Sequence, residues 1–213
     1  STERVAIDMP AGPSEVLVIA DATANPVFIA ADLLSQAEHG ADSQAVLLTC
    51  DPNILEETKK ELERQLVGLP RAATAKKALE HSRLILLEDI DRCIAFSNMY
   101  APEHLIIQTE QAEELCEKVQ NAGSVFIGHY TPESAGDYAS GTNHTLPTNG
   151  FARNYSGVSL DSYVKMLTFQ HIDEKGLERT GPSIERMAEE EELAAHKRAV
   201  TLRLEHIKNR KSK

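Results

Sequence analysis

The sequence predicts an α/β protein with a doubly wound, mostly parallel sheet and a C-terminal helical appendage. Two observations lead to this prediction. As far as Gly128, short apolar runs of strand length alternate with amphipathic segments of helical periodicity. Such alternation is typical of right-handed crossovers and of a parallel sheet with helices on both faces. After Gly128 the alternation stops, and the last segment has helical periodicity with no strand after it.

The alternating part begins with the apolar run EVLVIA at 15–20, which predicts the first strand. Asn25-Pro26 is a typical cap and first turn of a helix, and Gly40 ends that helix. The same pattern continues along the chain. It predicts strands at 45–49, 84–87, 105–107 and 125–127, and helices at 51–68, 74–82, 89–100 and 110–121.

The chain after the fifth predicted strand has a different composition. Residues 128–150 are rich in Gly, Ser, Thr, Asn and Pro and have no apolar period, so we predict a long functional loop. Residues 158–169 are predicted to be a strand or extended chain, and residues 182–210 one or two helices. We therefore predict two domains, an α/β domain at 1–158 and a helical segment at 159–213.

Composition limits the possible partners and the compartment. Lys and Arg number 22 against 33 Asp and Glu, and the net charge of -11 disfavours a protein that follows nucleic-acid phosphates. The three cysteines form no C-x-x-C pair, which indicates a reducing compartment. No apolar run approaches the roughly 20 residues of a membrane span, and no signal pattern opens the chain. We expect a cytoplasmic protein with no membrane or nucleic-acid partner.

Gln36 and His39 are the first candidate metal ligands. They are three residues apart, so on a helix they share a face, and Gly40 follows as the helix end. The alternative is a polar helix end at which the helix dipole favours His39. Two ligands do not make a metal site, so other stretches of the chain would have to supply the rest.

Glu103 and His104 are adjacent at a proline-fixed corner before the fourth predicted strand. Held there, they could act as two acid/base groups, although a solvated turn is the alternative. Doubly wound sheets usually place their sites at the other end of the strands, where each strand runs into its following helix.

The remaining candidates are a carboxylate and an imidazole in each of two later segments. Asp137 and His144 bracket the Gly-rich loop, where they could complete a metal shell or only form turns. Glu191 and His196 are five apart in the last predicted helix and do not share a face well, as on an ordinary charged surface. Neither G-x-G-x-x-G nor G-x-x-x-x-G-K-[ST] occurs in the sequence, so no nucleotide cradle is visible.

Several longer segments together resemble the histidinol dehydrogenase family. The resemblance covers essentially the whole chain, and the matching segments are long and in order. They are IDMPAGPSEVLVIAD at 7–21, DLLSQAEHGADSQ at 32–44, APEHL at 101–105, GDYASGTNHTLPT at 136–148 and LAAHKRAVTLR at 193–203.

The resemblance implies two successive NAD-dependent oxidations that take L-histidinol through its aldehyde to L-histidine. It implies that His104 accepts the hydroxyl proton and that Glu103 activates the water that hydrates the aldehyde. It also implies zinc, with the ligands Gln36, His39, Asp137 and His196. Further substrate contacts are implied from Ser14, His144 and Glu191, beside His104 and the zinc ligands.

The resemblance also implies the assembly. Members of the family are about twice as long as this chain, so the chain would be the C-terminal half, its sheet would be an incomplete Rossmann-like one, and the NAD-binding residues would lie upstream. The family forms a homodimer in which the C-terminal helix crosses to the other subunit and completes the site. The alternatives are a non-catalytic zinc-binding or dimerisation fragment without the NAD site, and a metal-dependent hydrolase in which Glu103 activates water.

Overall fold

The computed structural model describes residues 8–10 and 12–212. The chain forms two compact units, the first ending at Val164 and the second beginning at Lys165. The first unit contains the sheet and the second contains two helices. Within the described residues, no helix is long and apolar enough to cross a membrane.

Within the part of the chain that the structure describes, the sheet has five strands, all parallel to their neighbours, in the order β3-β2-β1-β4-β5. Every strand predicted within the alternating part of the sequence is present within a residue or two of its predicted bounds. The strands are β1 Glu15–Ala20, β2 Gln44–Thr49, β3 Arg83–Leu86, β4 His104–Gln108 and β5 Ser124–Ile127. The strand order reverses between β1 and β4, which are both buried along their whole length.

Helices cover both faces of the sheet, so the prediction of a doubly wound α/β fold is confirmed. Val16 and Val18 pack toward the first three helices, and Leu17 and Ile19 pack toward the fourth and fifth. This alternation follows from the two-residue period of a strand. The helices of the first unit are α1 Pro26–Ala37, α2 Pro52–Leu66, α3 Ala72–His81, α4 Ile90–Tyr100, α5 Ala112–Cys116 and α6 Glu133–Tyr138.

Three of the predicted helix starts are confirmed by their caps. The side chains of Asn25, Asp51 and Asp89 each accept a hydrogen bond from a backbone N–H in the first turn of the helix that follows. Such caps satisfy N–H groups that have no partner within the helix. They fix where α1, α2 and α4 leave the sheet.

Two predictions about later elements are wrong. The helix predicted at 110–121 is reduced to the five residues of α5, and the predicted loop at 128–150 contains the six-residue helix α6. For 158–169 the prediction is a strand or extended chain; no strand forms there among the described residues, where the only regular element is a 3₁₀ turn, Leu160–Tyr163. The sequence around α6 has no apolar period, because a helix this short buries only part of one turn.

The second unit is a pair of packed helices, α7 Glu174–Glu190 and α8 Ala194–Lys211. Pro182 lies inside α7 rather than at its start, so the helix begins earlier than predicted, with Asp173 as its cap. Glu191 caps the C-terminal end of α7. Glu192 has a positive φ of 58°, which interrupts the helical conformation before α8 begins. The prediction that one helix carries both Glu191 and His196 is therefore wrong.

One buried carboxyl in the first unit predicts a pH-dependent stability. Asp32 accepts a hydrogen bond from Gln108 Nε2 at 2.7 Å, and burial raises the pKa of Asp32 to about 7. The folded state thus holds this proton more tightly than the unfolded chain, so stability is lost as the pH rises from about 4 to about 7. Asp32→Asn keeps an acceptor for Gln108, and we expect it to raise the melting temperature at pH 8 but hardly at pH 4. At pH 8 the substitution should raise the free energy of unfolding by at most about 4 kcal/mol.

The matched control for this prediction is Asp161→Asn, at an exposed position in the same unit. It should shift the melting temperature equally at both pH values. An Asp32→Asn effect that is the same at pH 4 and pH 8 would contradict the assignment of the penalty to a buried charge.

Candidate active site

The candidate residues meet at the amino-terminal edge of the two central strands. Glu15 is the first residue of β1, and His104 is the first residue of the neighbouring β4. Helix α1 runs back from the far end of β1 and brings Gln36 to the same edge. Doubly wound proteins usually bind ligands at the carboxyl ends of the strands, so this cluster lies on the opposite side of the sheet.

Backbone groups of Glu15 hold both Glu103 and His104. The Glu15 N–H donates to Glu103 Oε2 at 2.8 Å, and the Glu15 carbonyl lies 2.9 Å from His104 Nδ1. Gly123 approaches the carbonyl of Glu103 so closely that a Cβ there would lie 2.6 Å from the oxygen. Glu103 and His104 are both buried, so the alternative of a solvated turn is wrong.

The contact with Glu15 determines the tautomer of His104. A carbonyl oxygen can only accept a hydrogen bond, so Nδ1 carries the proton and Nε2 carries a lone pair. Nε2 is buried and has no hydrogen-bond partner among the described residues. Burial lowers the pKa of His104, which keeps the ring neutral at neutral pH. A neutral imidazole with a free Nε2 is able to take a proton from a bound hydroxyl.

The pKa of Glu103 is shifted in the opposite direction to that of His104, upward toward neutral pH. Burial, aided by the nearby carboxyls of Glu15 and Asp137, raises the pKa of Glu103 to about 7. A carboxyl with this pKa exchanges its proton readily at neutral pH, as a general base must. Its Oε2 also lies 3.6 Å from His104 Nδ1, so the charge of one group is felt by the other.

The side chain of Gln36 is fully buried and lies between His104 and His39. With its side-chain nitrogen toward Glu133 Oε1 at 3.0 Å and the Glu15 carbonyl at 3.3 Å, its oxygen faces His39 Nδ1 at 3.2 Å. The reverse orientation would put the amide oxygen against two other acceptors, which is unfavourable. The amide oxygen of Gln36 therefore points to His39.

His39 lies just beyond α1, which ends at Ala37 with Glu38 as its cap. The prediction that one helix face carries both Gln36 and His39 is therefore wrong, although their side chains do meet. An open cavity of about 450 Å³ adjoins His39 and is lined also by Ser14, Asp42 and Ser43. The ring is accessible from this cavity, which has room for a small polar molecule.

Among the described residues, one group of three side chains is close enough together to hold a metal ion. Potential ligand atoms of His39, Glu133 and Asp137 all lie within 4.8 Å of one another. Together with the Gln36 oxygen they offer one nitrogen and several oxygens, a donor set that can bind a divalent cation such as zinc. The residues present therefore fit a zinc ion. Glu133 is buried, and burial with the charges of Asp137, Glu103 and Asp32 raises its pKa to about 9.

Sequence reasoning misses two members of the cluster. Glu133 lies four residues before Asp137, a spacing that puts both on one helix face, but the composition of the segment predicts a loop. Glu15 has the sequence signature of a strand residue and nothing more. Its residue type could not have predicted its role, because the backbone N–H and carbonyl of Glu15, not its side chain, bind Glu103 and His104.

The structure brings Gln36, His39, Glu103, His104 and Asp137 together, and it places Ser14 at the adjoining cavity. His144 is exposed in the irregular chain after α6. Glu191 and His196 are exposed in the second compact unit, Glu191 at the end of α7 and His196 in the first turn of α8. Their roles remain predictions.

This parallel α/β domain combines a neutral imidazole, a carboxyl whose pKa lies near 7 and a group of potential metal ligands. Side chains of these types are those that a metal-assisted enzyme requires. A family model described as Histidinol dehydrogenase matches residues 1–204. The chain belongs to the histidinol dehydrogenase family.

Individual relatives agree with this assignment. The chain is 62% identical over 208 residues to "Histidinol dehydrogenase" of Bacteroides thetaiotaomicron, covering 98% of this chain and 49% of the relative. It is 59% identical to "Histidinol dehydrogenase, chloroplastic" of Arabidopsis thaliana, covering 97% of this chain and 45% of that relative. The crystal structure of histidinol dehydrogenase from Elizabethkingia anophelis superposes with a TM-score of 0.94 at 65% identity, covering 96% of this chain and 47% of that one. The chain spans about half the length of the curated relatives it matches.

Proposed function

We propose that this chain provides the zinc site and the acid/base residues of an NAD-linked enzyme that oxidises L-histidinol to L-histidine. The observation that carries the proposal is the buried pair Glu103 and His104 beside the His39, Glu133 and Asp137 group, within a chain of this family. When bound, zinc would orient the amino alcohol and NAD would accept the electrons of each oxidation.

His104 serves the first oxidation. Its Nε2 takes the proton of the substrate hydroxyl while the hydrogen on the same carbon leaves with its electron pair, and the aldehyde forms. The Nδ1–H of the ring stays bonded to the Glu15 carbonyl, so the ring is fixed while its other nitrogen is charged. The nearby carboxyl of Asp137 favours the imidazolium that results.

Glu103 serves the second oxidation. It takes a proton from a water molecule that adds to the aldehyde, and the hydrate then loses its hydrogen with an electron pair to give the carboxylate. Over both steps, histidinol and one water give histidine, and two equivalents of NAD are reduced. A carboxyl with a pKa of about 7 can take and release this proton at neutral pH.

The second unit supports an assembly in which another copy completes the site. Met187, Leu193 and Leu202 are exposed apolar side chains of that unit, in or beside its two helices. A partner that covers these side chains would remove their apolar surface from water. We propose a homodimer in which Glu191 contacts histidinol and His196 is the fourth protein ligand of the zinc, each reaching the site of the other subunit. Ser14 and His144 would contact the same substrate.

Histidinol oxidation by this chain, with and without the rest of the family's length, tests the proposal. The chain would be assayed alone and fused to the remaining half of the Bacteroides thetaiotaomicron relative, in each case with zinc, L-histidinol and NAD. We expect the fusion to form two NADH per histidinol, and the chain alone to bind histidinol only with zinc and to form little NADH. The latter outcome would make the isolated chain a non-catalytic zinc-binding fragment.

A fusion that folds, binds zinc and forms no NADH from histidinol would contradict the proposed function. Hydrolysis of an ester or amide substrate by Glu103 in that same fusion would favour the hydrolase alternative. Chelation of zinc followed by its readdition is the control, because it separates a lost metal from a damaged protein.

A further inference from the structure

We propose that Glu133 is a positioning residue: its carboxyl holds the side-chain amide of Gln36 in the one orientation that presents the amide oxygen to the metal. The inference rests on the proposed zinc site. It concerns a residue to which the resemblance gives no role.

The first step is the environment of the Gln36 amide. The two ends of an amide have nearly the same shape but opposite hydrogen-bonding character. Only the oxygen is able to bind a metal cation, so a Gln ligand turned by half a rotation would offer N–H groups in its place. A buried amide between two possible orientations needs neighbours that distinguish them.

Glu133 is the side chain that makes this distinction. Its Oε1 lies 3.0 Å from the Gln36 nitrogen, and the other acceptor, the Glu15 carbonyl, lies 3.3 Å away. On the far side, His39 Nδ1 lies 3.2 Å from the Gln36 oxygen. His104 Nδ1 lies 3.3 Å from the amide nitrogen, but it carries the proton donated to the Glu15 carbonyl and has no free lone pair, so it cannot accept a hydrogen bond from Gln36.

Burial makes the contact strong and its loss costly. Glu133 is 2% exposed and Gln36 is 0% exposed, so water cannot replace either partner. Both sit on helices, α6 and α1, which pack against one another, so the pair is set by rigid elements rather than by a loop. Groups behind a metal ligand typically change metal affinity by about 10- to 100-fold when removed.

Glu133 also lies near His39 and Asp137, so it could instead bind the metal itself. The two roles differ in what they require of the side chain. A positioning residue needs an oxygen that accepts a hydrogen bond from Gln36, and a glutamine at 133 supplies one. A carboxylate ligand needs its negative charge, which a glutamine lacks.

The test measures zinc affinity by competition with a chelator, using the full chain and the variants Glu133→Gln and Glu133→Ala. We expect Glu133→Gln to stay within about 3-fold of the unchanged protein and Glu133→Ala to lose about 10- to 100-fold. In a Gln36→Ala background, Glu133→Ala should cost almost nothing more, because its partner is already gone. Ser134→Ala, at the exposed neighbouring position of α6, is the control and should change nothing.

Two results would overturn the assignment. A Glu133→Gln variant that folds and loses as much affinity as Glu133→Ala would make the charged carboxylate itself the ligand. Equal losses for Glu133→Ala with and without Gln36 would show that the two residues act independently. If Glu133→Ala does not fold, Glu133→Gln alone still decides, since an affinity loss above about 10-fold would contradict positioning. Failure of the unchanged protein to bind zinc would instead count against the proposed function.

Discussion

Replacing His104 with asparagine is expected to lower kcat for histidinol oxidation by about 10²- to 10⁴-fold in the fused, full-length protein. The asparagine side-chain nitrogen can still donate to the Glu15 carbonyl as Nδ1 does now, so the local backbone should keep its structure. What disappears is the second ring nitrogen, which is buried and has no hydrogen-bond partner among the described residues. Steady-state kinetics and zinc content, measured together, check this prediction.

The companion variant Glu103→Gln separates the two oxidations. Glutamine keeps an oxygen for the Glu15 N–H but cannot take a proton from water. We expect the variant to stop after the first oxidation, so that about one NADH forms per histidinol and the aldehyde accumulates. In the unchanged enzyme, oxidation of added aldehyde should rise with pH through about 7, because Glu103 acts as a base only when ionised, and Glu103→Gln should remove that rise.

His81→Asn is the matched control for both variants, since His81 is exposed at the end of α3. It should leave kcat, the NADH yield and the zinc content unchanged. A His104→Asn enzyme with full kcat would remove His104 from the chemistry. A Glu103→Gln enzyme that still forms two NADH would show that water is activated elsewhere.

The strands of the sheet and the helices between them could be predicted because both come from local patterns. A buried parallel strand needs an unbroken apolar run such as EVLVIA, and a capped helix must follow it to return the chain. The short helix α6 could not be predicted in this way. It buries only Glu133 and Gly136, and a buried acid looks in sequence like an exposed one.

Residue types alone name the candidates of the site but do not choose among them. Gln36, His39, Glu103, His104 and Asp137 each have an ordinary structural alternative, and the family resemblance selects them. Their common position could not be derived, because it depends on β1 and β4 being neighbours in the sheet, which is a long-range property. The same pairing places the backbone of Glu15 between Glu103 and His104, and so sets the tautomer and the burial that the chemistry uses.

His39→Ala is expected to abolish stoichiometric zinc binding and, with it, zinc-dependent histidinol binding. His39 is the only nitrogen donor of the three-residue group, and the two carboxyls left behind repel one another when ionised. Zinc per chain, determined by metal analysis after dialysis, should fall from about one to near zero. Equal zinc in His39→Ala and the unchanged protein would remove His39 from the ligand set.

The position of the zinc ion in a crystal of the zinc-loaded protein tests the central claim most directly. Anomalous diffraction at the zinc edge locates the ion without reference to the surrounding atoms. We expect a single strong peak between the Gln36 oxygen, His39 and Asp137, beside the amino-terminal ends of β1 and β4. A zinc peak at the carboxyl ends of the strands, or zinc bound with Gln36 and His39 both out of reach, would contradict it.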